Sequence, residues 1–168
     1  AGDTLRPLKI VADTANGMGG LVVPAIFDRL SAFELEVMYG ELDGTFPNHP
    51  ADPLQPANQR DLQARVLSGG FDVGLAFDGD GDRIGVVTST GTVVWPDRVL
   101  MLFARDILER NPGGQIIYDV KCTRNLDTLI REYGGQPLMW KTGHSFIKAK
   151  IKETGALLAG EMSGHIFI

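Results

Sequence analysis

Two layered α/β units in tandem are what this sequence predicts, and three observations carry that reading. Short apolar runs suited to strands alternate with stretches of helical spacing. The succession of strand, turn, helix, strand, helix and strand occurs twice. The 168 residues, 43% of them hydrophobic, are enough to bury a core in one ordinary domain or two small ones. Composition also excludes several classes. Val, Ile, Leu and Phe recur along the whole chain, unlike a disordered polypeptide. The single cysteine, Cys122, rules out an internal disulfide, and no segment resembles a secretory signal. Clean apolar runs such as Leu21–Phe27 fall far short of the roughly 20 residues that cross a membrane. A net charge of −5 argues against general nucleic-acid binding. These features describe a soluble, cytoplasmic protein with neither membrane nor nucleic acid as partner.

Taken in order, Leu8–Ala12 is a strand that ends at Asp13, and Asn16-Gly17-Met18-Gly19-Gly20 is the turn leading to a helix over Leu21–Leu30. Glu34–Tyr39 alternates as a strand. Gly44, Pro47, Pro50, Pro53 and Pro56 make Gly40–Pro56 a loop without regular structure. A helix over Asn58–Leu67 stops at Ser68-Gly69-Gly70, and a buried strand, Phe71–Phe77, runs into Asp78-Gly79-Asp80-Gly81-Asp82-Arg83. Ile84–Thr88 and Thr92–Val94 form a hairpin through Thr90-Gly91. Pro96 opens a helix that runs to Arg110 and halts at Asn111-Pro112-Gly113-Gly114.

The pattern then begins again. Gln115–Tyr118 is a strand ending at Asp119, as the first ended at Asp13. Helices over Thr123–Tyr133 and His144–Thr154, the second with its lysines outward, alternate with strands at Gln136–Trp140 and Ala156–Ala159. The last strand enters Gly160-Glu161-Met162-Ser163-Gly164-His165. Laid on Phe77–Asp82, this loop places Ala159 on Ala76, Glu161 on Asp78, Ser163 on Asp80, Gly164 on Gly81 and His165 on Asp82. One unit therefore occurs twice, the proline-rich loop being an insertion in the first copy. The chain lacks an initial methionine and stops at Ile168, partway through the second copy, as expected of a segment of a larger polypeptide.

Asp78, Asp80 and Asp82 alternate with glycines directly after a buried strand. Three carboxylates so spaced can turn their oxygens around one hard cation, and glycine permits the tight backbone this needs. Mg²⁺ suits such a set, since it takes oxygen ligands at about 2.0–2.1 Å and leaves positions open for a phosphate. A calcium EF-hand is excluded, because the sixth and twelfth positions are Arg83 and Ser89. A dehalogenase-type phosphatase with Asp78 as nucleophile stands as an alternative, although that family wants Thr or Val where Asp82 stands. Asn16–Gly20 fails as a dinucleotide fingerprint because its third glycine would fall at Val22. Lys121 follows one strand end and His144 another, which are ligand-facing places in open α/β sheets. Cys122 reads as structural and His49 as an exposed loop residue. Glu161, Ser163 and His165 join acid, hydroxyl and imidazole in one loop, a set suited to a polyhydroxylated ligand, with His165 able to move protons.

Charge is uneven too. Residues 1–82 hold thirteen acidic and five basic side chains; residues 83–168 hold eight and eleven. This is either variation between two solvated surfaces or an acidic metal-binding half beside a basic half that receives an anionic substrate.

In this order, the motifs resemble the α-D-phosphohexomutases, and within them the bacterial phosphomannomutase/phosphoglucomutase branch. Val11–Gly17 resembles the opening of that family's second domain and Asp43–Pro50 its loop. Asp78–Arg83 resembles its magnesium loop, and Gly160–His165 the sugar-recognition loop of its third domain. Met162 and Gly81 suit the mannose/glucose branch. The resemblance implies mixed sheets of the phosphohexomutase type, with domain 2 over residues 1–92 and an incomplete domain 3 over 93–168. It also implies an enzyme that moves a phosphoryl group between positions 1 and 6 of a hexose phosphate, through a phosphoserine and a bisphosphate intermediate. Asp78, Asp80 and Asp82 would hold Mg²⁺ against the phosphoserine with Arg83 beside them. Glu161 and Ser163 would hold sugar hydroxyls, His165 would act as acid or base, and Lys121 and His144 would line the cleft. No Ser-His-Asn-Pro sequence is present, so the phosphoserine loop of domain 1 is expected as a partner supplied from elsewhere. Without it the chain is expected to be inactive by itself; an inactive α/β binding scaffold is the alternative from another class.

Overall fold

The computed structural model describes residues 5–168. The chain divides into two compact units, the first ending at Val94 and the second running from Trp95 to Ile168.

The first unit contains β1 (Leu8–Asp13), α1 (Gly19–Phe27), β2 (Phe33–Met38), a 3₁₀ turn (Pro56–Gln59), α2 (Arg60–Gly69), β3 (Val73–Phe77), β4 (Ile84–Thr88) and β5 (Val93–Val94). Its sheet has the order β2-β1-β3-β4-β5. β1 is parallel to β2 and β3, whereas β4 is antiparallel to β3. Val11, Ala76 and Val87 point to one face, where α2 lays Leu62 and Val66 across them. The second unit contains α3 (Pro96–Arg110), β6 (Gln115–Asp119), α4 (Asn125–Glu132), β7 (Gln136–Trp140), α5 (His144–Thr154), β8 (Leu158–Gly160) and β9 (Ile166–Phe167). Its sheet order is β7-β6-β8-β9, with β6 parallel to β7 and β8, and β9 antiparallel to β8. Alternation along β6 fills two faces: Ile116 and Tyr118 join Leu100, Leu126 and Ile130 beneath α3 and α4, while Ile117 joins Ile147 beneath α5. The duplicated unit is thus a duplicated topology.

Several element ends differ from expectation, each for a local reason. The first helix begins at Gly19 because Met18 donates its N–H to the Gly79 carbonyl (2.9 Å) and turns the chain early. Asn58 and Gln59 belong to the 3₁₀ turn, with α2 starting at Arg60 and closing on left-handed Gly70. Thr123 stays outside α4, its N–H held by Asp97 (3.0 Å) and its Oγ1 accepting from the Asn125 N–H (3.3 Å). Lys150 is not outward on α5: its ammonium lies 4.3 Å from the centroid of the Trp140 ring. The proline-rich loop has no regular element before Pro56, yet it is firmly tied. Asp43 N–H reaches the Asn16 carbonyl (2.9 Å), and the Asn48 side chain donates to Asn16 Oδ1 (2.7 Å). His49 is not exposed but half-buried, with Nε2 3.0 Å from Asp13 Oδ2.

Candidate functional site

In open sheets of this kind, ligands gather beyond the carboxyl ends of the parallel strands. In the first unit, that edge is where β3 delivers Asp78. The three aspartates of the following loop each place a carboxylate oxygen within 4.8 Å of the others, with Asp78 buried and Asp80 and Asp82 exposed. Gly81, at φ 78°, supplies the left-handed turn that folds the loop back on itself. Arg83 clamps its root: its N–H and its Nε donate to the two oxygens of Asp78, at 3.1 and 2.5 Å. Arg83 also lies 3.8 Å from Asp52 of the proline-rich loop. Burial works against ionisation of Asp78, but the hydrogen bonds and positive charge of Arg83 outweigh it and hold the carboxyl below its usual range.

This donor set fits Mg²⁺. Oxygens sharing one such ion at about 2.0–2.1 Å lie at most about 4.2 Å apart, so a set within 4.8 Å closes by small side-chain rotations. An ionised carboxylate has about four lone-pair positions, and Arg83 uses two of those on Asp78.

The loop has a built floor. A Cβ on Gly17 would lie 2.6 Å from the Gly79 carbonyl oxygen, so glycine is what lets the β1–α1 turn pass under the aspartates. Phe46 covers the other side, its ring tip 3.2 Å from where a Cβ of Gly79 would stand. Asp13, at the end of β1, holds both neighbours: Oδ1 accepts the Ala15 N–H (2.9 Å) and Oδ2 meets His49. Burial raises the Asp13 carboxyl above its usual range against the pull of His49.

The second unit repeats the arrangement with other groups. β8 delivers Glu161, which is 2% exposed; its Oε1 accepts the Gly143 N–H (2.5 Å) and its Oε2 lies 3.2 Å from His165 Nδ1. Ser163 Oγ lies 2.8 Å from the same nitrogen. The exposed His144 ring, at the start of α5, has its centroid 6.0 Å from that of His165. Four of the five residues expected here therefore come together. Lys121 stands exposed at the turn after β6, its backbone N–H bonded to Asp119 (3.0 Å).

Asp119, Thr142 and Gly143 were not singled out as site residues, yet they organise it. Asp119 Oδ1 accepts the N–H groups of Lys121 and Cys122, while Oδ2 accepts the Thr142 hydroxyl (3.1 Å). The signal was present in the two matching strand-end aspartates. Burial and the neighbouring Asp119 push the Cys122 thiol far up, which suits a structural cysteine.

Residues 2–91 match the family model described as phosphoglucomutase/phosphomannomutase, alpha/beta/alpha domain II, and residues 95–168 match its domain III. The chain belongs to the phosphoglucomutase/phosphomannomutase family. It is 59% identical over 162 residues to the phosphomannomutase/phosphoglucomutase of Pseudomonas aeruginosa, covering 96% of this chain and 35% of that protein. It is 54% identical to a phosphoglucomutase of Neisseria meningitidis, again over 96% of this chain and 35% of the relative. A crystal structure of a family protein from Burkholderia thailandensis superposes with a TM-score of 0.94 at 57% identity, covering 97% of this chain and 35% of that one. The fold extends to N-acetylphosphoglucosamine mutase of Aspergillus fumigatus in complex with GlcNAc-6P and magnesium. There the TM-score is 0.69 at 14% identity, over 95% of this chain and 36% of that one. The chain thus spans about a third of the length of the relatives it matches. Among the described residues, no helix is long and apolar enough to cross a membrane.

Proposed function

We propose that this chain supplies the metal loop and the sugar-facing loop of a cytoplasmic phosphohexomutase, with residues 1–92 as domain 2 and 93–168 as domain 3. The enzyme interconverts the 1- and 6-phosphates of mannose or glucose. The observation that carries the reading is the convergence of Asp78, Asp80 and Asp82, one carboxylate buried and clamped by Arg83 and two presented to solvent. Mg²⁺ bound there would neutralise charge on a phosphoryl group that a phosphoserine, carried elsewhere in the polypeptide, brings to it. Such transfer asks for positioning and charge stabilisation rather than covalent chemistry from these residues. Arg83 keeps Asp78 ionised and fixes its direction.

In the second unit, Glu161 and Ser163 offer acceptors to sugar hydroxyls. A proton on Nδ1 of His165, shared with Glu161, puts the lone pair of the neutral ring on Nε2, from which a general base acts. Lys121 and His144 add charge and donors for the sugar's phosphate. Membership in the mutase family replaces the dehalogenase-type alternative. Calorimetric titration of Mg²⁺ into the chain is expected to show one site that Asp80→Asn removes; an unchanged isotherm in that variant would overturn the metal assignment. The chain by itself is expected to show no conversion of glucose 1-phosphate to glucose 6-phosphate, and turnover at a normal mutase rate would overturn the assigned division of labour.

A further inference from the structure

His49 anchors the middle of the proline-rich loop, between the residues by which that loop touches the loop of three aspartates. On one side of it, the Phe46 ring lies over Gly79. On the other, Ala51 stands 3.7 Å from where a Cβ of Gly79 would be, and Asp52 lies 3.8 Å from Arg83, which clamps Asp78. Pro53 closes the row against Gly85 of β4. Phe46 holds a left-handed φ of 51°, which a bulky side chain adopts only where its surroundings enforce it.

The anchor depends on a proton. Nδ1 of His49 lies 2.9 Å from the Pro50 carbonyl and Nε2 lies 3.0 Å from Asp13 Oδ2, so both ring nitrogens face acceptors. A neutral imidazole has one N–H and serves only one of them. The arrangement therefore holds either an imidazolium beside ionised Asp13 or a neutral ring beside protonated Asp13. One proton is shared by the pair in both cases. The surroundings retain it. Asp13 is buried at the end of β1. The Tyr39 ring, after β2, stands edge-on to His49 with centroids 5.5 Å apart, and its hydroxyl donates to Asp61 of α2 (2.8 Å). The negative charge of Asp61 also favours the imidazolium.

We propose that His49 and Asp13 are positioning residues for the Asp78–Asp82 cation site, and that loss of their shared proton frees the middle of the proline-rich loop and weakens Mg²⁺ binding. The inference rests on the metal assignment above. Once the proton leaves, a ring lone pair faces either Asp13 or the Pro50 carbonyl and one contact breaks. Phe46 and Asp52 then lose the support that keeps them against Gly79 and Arg83. The direction opposes that of a plain carboxylate site, which gains affinity with pH as protons stop competing for its oxygens and levels off once the aspartates are ionised. In this protein affinity is greatest below about pH 6.5 and falls as pH climbs through the folded His49 value. By reciprocity, bound Mg²⁺ holds the proton on the pair. A direct field from the cation would do the reverse and expel it.

Calorimetric titration of Mg²⁺ into the chain should show affinity about fivefold weaker at about pH 8.5 than at about pH 6. His49→Gln, which does not titrate, should bind at both pH values as weakly as the parent does at the higher one. NMR titration of the His49 ring in the unsubstituted chain reads the same coupling without a variant, its midpoint moving upward when Mg²⁺ is saturating. Parent affinity that is flat or rises with pH overturns the proposal, as does a His49 midpoint that Mg²⁺ lowers or leaves in place. Those results leave the metal assignment standing, whereas a parent that binds no Mg²⁺ at either pH overturns both.

Discussion

The loops after β3 and β8 occupy matching places in duplicated sheets, yet they use their carboxylates in opposite ways. Six residues join Phe77 to Ile84 and hold three aspartates; five join Gly160 to Ile166 and hold one glutamate, a serine and a histidine. Asp80 and Asp82 face solvent, whereas Glu161 is buried and held by Gly143 and His165, with its remaining lone-pair positions left for a ligand. Sheet register contributes to this difference. Ala76 pairs with Asp13, so β3 runs one residue beyond that aspartate, while Gly160 pairs with Tyr118 and β8 stops one residue short of Asp119. Glu161 consequently begins two residues deeper than Asp78. The even offset keeps side chains on corresponding faces while changing which groups they reach. Related scaffolds thus present solvent-facing carboxylates where the acids stand clear of the strand edge, and an internally hydrogen-bonded loop where they do not.

The largest expected effect separates the loops by metal. Asp80→Asn should remove the Mg²⁺ site from the titration, a loss of at least about a hundredfold in affinity, while the matching Ser163→Ala leaves it unchanged, both read by calorimetry. Next come the glycines beneath each loop. Gly17→Ala forces a methyl against the Gly79 backbone and should cost about 2–3 kcal/mol in urea unfolding. Gly160→Ala meets the tip of Leu100, which can shift, and should cost about 1 kcal/mol. Glu161→Ala strips the half-buried Gly143 N–H of its acceptor for about 1–2 kcal/mol, and Glu161→Gln should restore most of that.

The smallest effect contrasts the strand-end aspartates. Burial lowers the His49 pKa, but the Pro50 carbonyl and Asp13 outweigh it and raise it above 6.5. A raised histidine adds stability that is fully present below about pH 6.5 and fades as pH climbs through the folded value. His49→Gln should therefore cost about 1 kcal/mol at pH 6 and less at pH 8. Thr142→Val, which removes a hydroxyl from Asp119, should cost the same at both.

Much of this was legible in the residues. Helices Pro96–Arg110 and His144–Thr154 and strand Gln136–Trp140 match their expected bounds, because proline, glycine and apolar spacing mark those ends locally. The alignment of Ala159 with Ala76 agrees with the hairpins, where each alanine pairs one step inside the last rung. His49 could not be placed the same way, since its partner Asp13 lies 36 residues away across a loop with no periodicity.

By itself the sequence determined the order of elements, the repetition of the unit and the identity of the two polar loops, because these depend on spacing along the chain. Tertiary structure decided which carboxylates face solvent and which are held within the fold, through the depth at which each strand stops beside its neighbour. It alone revealed that, among the described residues, Leu21, Val22 and Ile26 of α1 stand exposed. Register and coverage arise from pairings between residues far apart in the chain, which no local pattern encodes.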